Sequence, residues 1–217
     1  MDQLCVTATL RSPVVTNGGY WTIDGLIAAL IFEDCGDVDT AHASVPIKQT
    51  DGLFHASGAL MEPYMEERIA FGASLRADHD IHPDLLKKKK DGTLNKKMDR
   101  KRRSAGGNVQ NTYSTKTATE VTWYCQGDAE AIAKILTTDR VPFIGKRRAS
   151  GFGEVGDWKI ERSDLDSIIG SFGEPLRPVP VEMFRGDLNS VKADAAWRPA
   201  YWDLNHRAIC FVPEESL

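Results

Sequence analysis

Hydrophobic and polar residues alternate at the start of the chain, with Leu4, Val6, Ala8 and Leu10 separated by Cys5, Thr7 and Thr9. A period of two puts each set on its own face of a β-strand, and Pro13 followed by Asn17-Gly18-Gly19 brings that strand to an end. The period then changes. Ile23, Leu26, Ile27, Leu30 and Ile31 recur at three- and four-residue spacing, which predicts a helix capped by Thr22 or Asp24 and closed before Gly36. Residues 53–61 and 68–75 read as two strands joined by a turn at Glu62-Pro63, with Gly58 as a bulge in the first. From 76 to 112 no apolar period is visible, and the segment reads as a long insertion. Residues 113–125 regain strand-like density in Thr, Val, Trp and Tyr. Asp128 then caps a second helix through Ile132, Ile135 and Leu136 that stops near Thr138, and Val155, Trp158 and Ile160 mark a strand ending near Arg162.

With the insertion set aside, the order is βαββαβ, an α+β fold of ferredoxin-like or RRM-like arrangement. Residues 1–163 form that domain, with residues 51–75 supplying an extra hairpin or part of the central pair. Beyond Ser163 the pattern weakens into a C-terminal extension, 164–217, expected to pack on the same domain. It carries Pro175, Pro178 and Pro180 in an extended connection, then an aromatic stretch, Trp197-Arg198-Pro199-Ala200-Tyr201-Trp202. The last apolar run, 208–212, reads as an edge strand.

Composition changes this picture in one respect. The chain has 217 residues, 41% of them hydrophobic, enough for a packed core. No apolar run is long enough to span a bilayer and no signal peptide is evident, so the expected location is cytoplasmic, without membrane contact. Cys5, Cys35, Cys125 and Cys210 are scattered without a C-x-x-C pair, which excludes a zinc ribbon and fits a reducing compartment. The net charge of −4, however, is unevenly held. Residues 87–103 contain ten Lys or Arg and two Asp, a net of +8, leaving −12 for the remainder. Lys87, Lys88, Lys89, Lys90, Lys96, Lys97, Arg100, Lys101, Arg102 and Arg103 therefore form a segment suited to an anionic partner. Gly92 and Gly106-Gly107 are placed to make it mobile when nothing neutralises it.

A second basic stretch has a different character. Residues 144–158 read I-G-K-R-R-A-S-G-F-G-E-V-G-D-W, with Gly145, Gly151, Gly153 and Gly156 around Lys146, Arg147 and Arg148. Glycines permit positive φ and close backbone approach, Ser150 and main-chain amides can donate to phosphate oxygens, and the cations can neutralise them. The loop follows a helix and leads into a strand, so its G-x-G-x-x-G points the wrong way for a dinucleotide site. A phosphate-binding P-loop also fails, because Arg140 stands where the leading glycine belongs and Arg147 where Ser or Thr belongs. Phe152 has two readings: a ring that stacks on a base, or an anchor into the core.

The opening L-C-V-T-A-T-L-R-S-P-V-V with I-D-G-L-I-A-A-L, and the loop G-K-R-R-A-S-G-F-G-E-V after the second helix, resemble the RAMP superfamily of CRISPR proteins. Length and the D-G-L-x-A segment at 24–28 resemble, within it, the subunits of type IV CRISPR effector complexes that cap the five-prime handle of the guide RNA. The resemblance implies a non-catalytic RNA-binding subunit of an antiviral ribonucleoprotein, requiring no cofactor. Its partners would be guide RNA, neighbouring backbone and large subunits, and target DNA as a further candidate. Gly145, Lys146, Arg147, Arg148, Ser150, Gly151, Phe152 and Gly153 would contact the RNA, with the basic insertion acting as a thumb.

Two other functions are weighed against this one. An endoribonuclease that processes the guide precursor needs a base near the 2′-hydroxyl and a cation at the phosphate, for which His55 or His79 with Lys146 are the candidates. A general RNA-binding protein of RRM type would carry aromatic residues in its two central strands, and that signature is absent. The Asp78-His79-Asp80-Ile81-His82 cluster reads as a polar loop rather than a metal site, since no further His and Asp in comparable settings complete it.

Overall fold

The computed structural model describes residues 1–16, 20–73, 86–98 and 109–214. The alternating start of the chain is β1, Asp2–Leu10, with Leu4, Val6 and Ala8 buried and Cys5 and Thr7 on the other face. After Pro13 come β2, Val14–Thr16, and α1, Ile23–Cys35. Gly36 closes α1 in the left-handed region (φ 69°), donating its amide to Phe32 O at 2.8 Å. A short α2, Val38–Ala43, begins at Asp37, whose carboxylate accepts the Thr40 amide at 2.8 Å. Six residues are too few to display a period, so the sequence gives no warning of this helix.

A tight hairpin of β3, Gln49–Thr50, and β4, Leu53–Phe54, turns at Asp51-Gly52, both at positive φ (51° and 87°). The strand expected over 53–61 is consequently interrupted. Its continuation meets the sheet through single bridges, Ala56 with Cys125 and Leu60 with Thr122, and through Ser57 Oγ, which accepts the Tyr124 amide. Between them the Gly58 amide turns away to Leu176 O at 2.7 Å.

The chain divides into two compact units, Glu67–Thr115 and the remainder. Ahead of the expected insertion runs β5, Met65–Ala73; within it β6, Leu86–Lys88, pairs with β7, Leu94–Met98; and β8, Val109–Thr117, a neighbour of β5, begins at its end. The segment without apolar period therefore holds an antiparallel hairpin. Gly92, at φ 83°, sits in its turn, where Asp91 Oδ1 accepts from the Thr93 amide and hydroxyl. The single strand expected over 113–125 is two strands, because after β8 the chain bends at Ala118-Thr119 before β9, Glu120–Gly127. At that bend Thr119 O accepts the Leu10 amide.

Asp128 caps α3, Ala129–Ile135, by accepting the Ala131 amide at 3.0 Å, and β10, Val155–Arg162, follows the glycine loop. β1 is the middle of an antiparallel sheet ordered β10-β1-β9. Register aligns the buried rows: Val6 faces Trp123 and Ile160, and Ala8 faces Val121 and Trp158. The Trp123 and Trp158 rings stack at 6.0 Å between centroids. Ile23, Ile27 and Leu30 of α1 and Ile132 of α3 join these residues in one core, each fully buried aliphatic chain contributing about 1.5–3 kcal/mol.

The C-terminal segment forms a second small sheet of β11, Val179–Pro180, β12, Lys192–Ala196, and β13, Arg207–Phe211. Here the sequence expectation is corrected. β13 lies between β11 and β12 and is not an edge strand of the main sheet. Phe211 and Phe184, 4.7 Å apart, close a small core of their own with Val179 and Leu53. The molecule is thus mixed α and β, with antiparallel sheets and three α-helices among the described residues.

Candidate nucleic-acid interface

The glycine loop is tied down on both sides. Phe143 bridges Glu154, and Ile144 N donates to Gly153 O at 2.8 Å, which closes the loop at its base. Along its flank, Lys146 N donates to Val15 O and Gly153 N to Pro13 O, while Ser12 Oγ accepts the Glu154 amide. This path needs positive φ at Gly145 (80°), Gly151 (84°) and Gly153 (71°). At Gly153 a side chain is sterically excluded, since a Cβ would stand 1.9 Å from Ile144 O. Arg147 also adopts the left-handed region (φ 58°), where a non-glycine residue is uncommon and strained.

Between these ties a turn of 3-10 helix, Arg148–Ser150, carries the chain outward. Lys146, Arg148, Ser150 and Gly151 are exposed, Arg147 and Phe152 are partly buried with interactions of their own, and Gly153 is buried. The amides of Lys146, Ser150, Gly151 and Gly153 donate to carbonyls within the fold. These four amides are thus spent on the fold, while the side chains of Lys146, Arg148 and Ser150 stand at the surface.

Beside the loop opens a cavity of about 690 Å³. Lys146 and Arg148 form one wall, Val15 and Thr16 of β2 another, and Trp21, Gly25, Leu26 and Ala29 at the start of α1 a third. Asp194, Ala195 and Arg207 of the C-terminal sheet also line the space, which stays open to solvent. Arg207 Nε and Nη2 donate to Asp194 Oδ2 at 3.2 and 3.1 Å, an exposed pair on adjoining strands. Tyr20, whose pKa burial raises, also lines the space.

Under this wall lies a buried polar cluster that the sequence reading missed. Arg177, with no exposed side-chain area, donates to Asp24 Oδ1 at 3.2 Å, to Phe54 O at 2.8 Å and to Trp197 O at 2.8 Å. Its Nη2 also reaches the Tyr201 hydroxyl, which in turn donates to Asp24 Oδ2. Burial works against the Arg177 charge, but Asp24 and Tyr201 overcome it and raise its pKa. Burial likewise pushes the Tyr201 phenol up, keeping it a neutral donor. Asp24 is therefore not the cap of α1, whose N-cap residue Thr22 makes no side-chain capping bond. Gly25 beside it leaves room for the Tyr201 ring, since a Cβ there would lie 3.1 Å from Tyr201 Cε2. The D-G pair of the opening motif thus fastens the C-terminal extension to α1.

The remaining candidates fall elsewhere. His55 Nε2 hydrogen-bonds Thr50 Oγ1 at 2.8 Å, and its pKa is lowered by burial first and then by Lys48. The hydrogen-bond partner of this imidazole is thus a neighbouring hydroxyl, in the hairpin of β3 and β4. Lys87 and Lys88 lie in β6, Lys96 and Lys97 in β7, and Lys88, Lys89 and Lys90 are exposed around the hairpin turn. Arg100, Lys101, Arg102 and Arg103, and the cluster of Asp78, His79, Asp80 and His82, lie outside the described residues. Among the described residues no group of three His, Cys, Asp or Glu is arranged to hold a metal, and no helix is long and apolar enough to cross a membrane. Burial raises the thiols of Cys125 and Cys210 to about 12, which makes both poor nucleophiles.

Comparison with known proteins gives one result. The family model for the CRISPR type IV associated protein Csf3 matches residues 61–213, a span holding the insertion, the glycine loop and the C-terminal sheet. No curated protein matches the chain.

Proposed function

The chain belongs to the CRISPR type IV associated protein Csf3 family, RAMP-like subunits of type IV CRISPR complexes, and from that premise we propose that it is a non-catalytic, RNA-binding subunit. In this reading it holds the five-prime handle of the guide RNA and caps the backbone filament of a cytoplasmic ribonucleoprotein. The observation that carries the reading is the glycine loop, in which a strained, doubly tied backbone presents Lys146, Arg148 and Ser150 outward. A backbone already held in place has less entropy to lose on meeting phosphate than a loose chain.

A ferredoxin-like domain over 1–163 belongs to the same reading. It is supported by the order β10-β1-β9, by the bridges of Ala56 and Leu60 to β9, and by α1 and α3 following β1 and β9 in the chain. In that arrangement 76–112 is an insertion in the central hairpin, offered to guide RNA, target DNA or a neighbouring subunit. The Asp24, Arg177 and Tyr201 cluster supports taking 164–217 as part of the same domain.

The test is guide-RNA affinity in a Lys146→Ala/Arg148→Ala double variant. Arg147 is left in place because its partial burial and left-handed backbone make it part of the loop's structure. Loss of two charge-assisted contacts should cost about 3 kcal/mol, roughly two orders of magnitude in Kd. Unchanged affinity in a folded double variant removes the loop from the RNA site. Site-specific cutting of a labelled precursor that disappears with His55→Ala would transfer the function to an endoribonuclease.

A further inference from the structure

We infer that the cavity beside the glycine loop takes one unpaired nucleobase of the strand whose phosphates meet Lys146 and Arg148, an inference that rests on the RNA-binding reading above. Three features of the cavity point to this ligand.

Size and lining come first. About 690 Å³ lies within the range of small-ligand sites, roughly 300–1,000 Å³. Trp21 and Tyr20 supply aromatic surface, and Leu26, Ala29 and Ala195 supply aliphatic surface, as single-stranded bases require when they leave their stack. Second, Trp21 is fixed in advance. Its ring meets Trp123 edge to face at 5.7 Å, and its carbonyl accepts from Trp123 Nε1 at 3.0 Å and from the Ala59 amide at 2.8 Å. A platform held in this way does not have to be ordered by the ligand.

Third, the charges select an anion with a flat, polar-edged body. Lys146, Arg148 and Arg207 line the cavity, opposed by Asp194. Asp24, below, is already matched by Arg177. The Arg207 and Asp194 pair places guanidinium donors beside a carboxylate acceptor, groups that can read the donor and acceptor edge of a base. Because Lys146 and Arg148 belong both to the loop and to the cavity wall, a base that enters remains linked to the phosphates outside.

The full-length chain is tested with two probes, an octamer of adenylate and an octamer of the same ribose-phosphate backbone without bases. The wild type is expected to bind the adenylate octamer at least about ten-fold more tightly than the abasic one. Ala29→Trp fills the cavity from an exposed position on α1 and removes no cation. It should bring adenylate affinity down to the abasic level and leave abasic affinity unchanged. A gap that persists in Ala29→Trp, or no gap in the wild type, overturns the inference while leaving phosphate binding in place. If the wild type binds neither octamer, the RNA-binding reading falls and this inference with it. A measurement on the wild type alone guards against a variant that fails to fold. The fluorescence of 2-aminopurine riboside monophosphate should be quenched on binding and recovered by AMP but not by ribose 5-phosphate, whereas equal competition by ribose 5-phosphate would leave only a phosphate site.

Discussion

Asp24 shows how much one residue can depend on a partner far away in the chain. Sequence alone offers it as a helix cap, because an acidic residue near an apolar period is a common cap. In the fold it is fully buried and answers Arg177, 153 positions on, in a stretch whose prolines and weak period give no hint of a core position. Removing either charge leaves the other desolvated and unmatched. Asp24→Ala should therefore destabilise the protein by about 3–5 kcal/mol. Tyr201→Phe, which removes one hydroxyl from the same cluster, should cost about 1–2 kcal/mol. Urea unfolding of both variants checks the ranking. Less than about 1 kcal/mol for Asp24→Ala would mean that the Arg177 charge finds water or another acceptor when Asp24 is gone.

At the level of elements, what was legible was what has a period of its own. β1, α1, α3 and β10 follow their apolar spacing, and Gly36 and Asp128 end and begin helices as their chemistry dictates. Elements made by tertiary contact were not legible. β3 and β4 have two residues each, α2 has six, and β13 gains its central place from partners β11 and β12. The candidate site divides in the same way. Its cations and glycines stand out in the sequence, but the internal hydrogen bonds of its amides and the cavity wall given by Asp194 and Arg207 depend on the fold. The glycines themselves are not equivalent. Gly153 closes the base of the loop where a Cβ would strike Ile144 O, whereas a Cβ at Gly151 meets nothing within 4 Å and only the left-handed φ opposes it. Gly151→Ala should cost about 1 kcal/mol. Gly153→Ala should cost more than about 2 kcal/mol, because the Ile144 to Gly153 hydrogen bond must break as well. Thermal melts of the pair measure this, and equal costs would show that the base of the loop opens without penalty.

For the whole molecule the governing fact is a basic segment of net +8 on a chain whose remainder carries −12. An acidic body repels nucleic acid at long range, so attraction has to be concentrated in a few places. The insertion is one of them. Its hairpin exposes Lys88, Lys89 and Lys90 around a turn set by Asp91, Gly92 and Thr93, so these lysines can be exchanged without touching the groups that shape the turn. If they meet phosphates, each contact releases condensed counterions and contributes about 0.7 to the slope of log affinity against log salt on a single strand. A variant with Lys87, Lys88, Lys89 and Lys90 all changed to Ser should therefore bind guide RNA more weakly at low salt. Its slope should be flatter by up to about 3 units, and its melting temperature should hold. A segment that is merely solvated would keep slope and melting temperature alike. Loss of assembly with partner subunits at an unchanged RNA slope would identify the anion as an acidic protein surface, and a flatter slope on target DNA alone would assign the hairpin to the target.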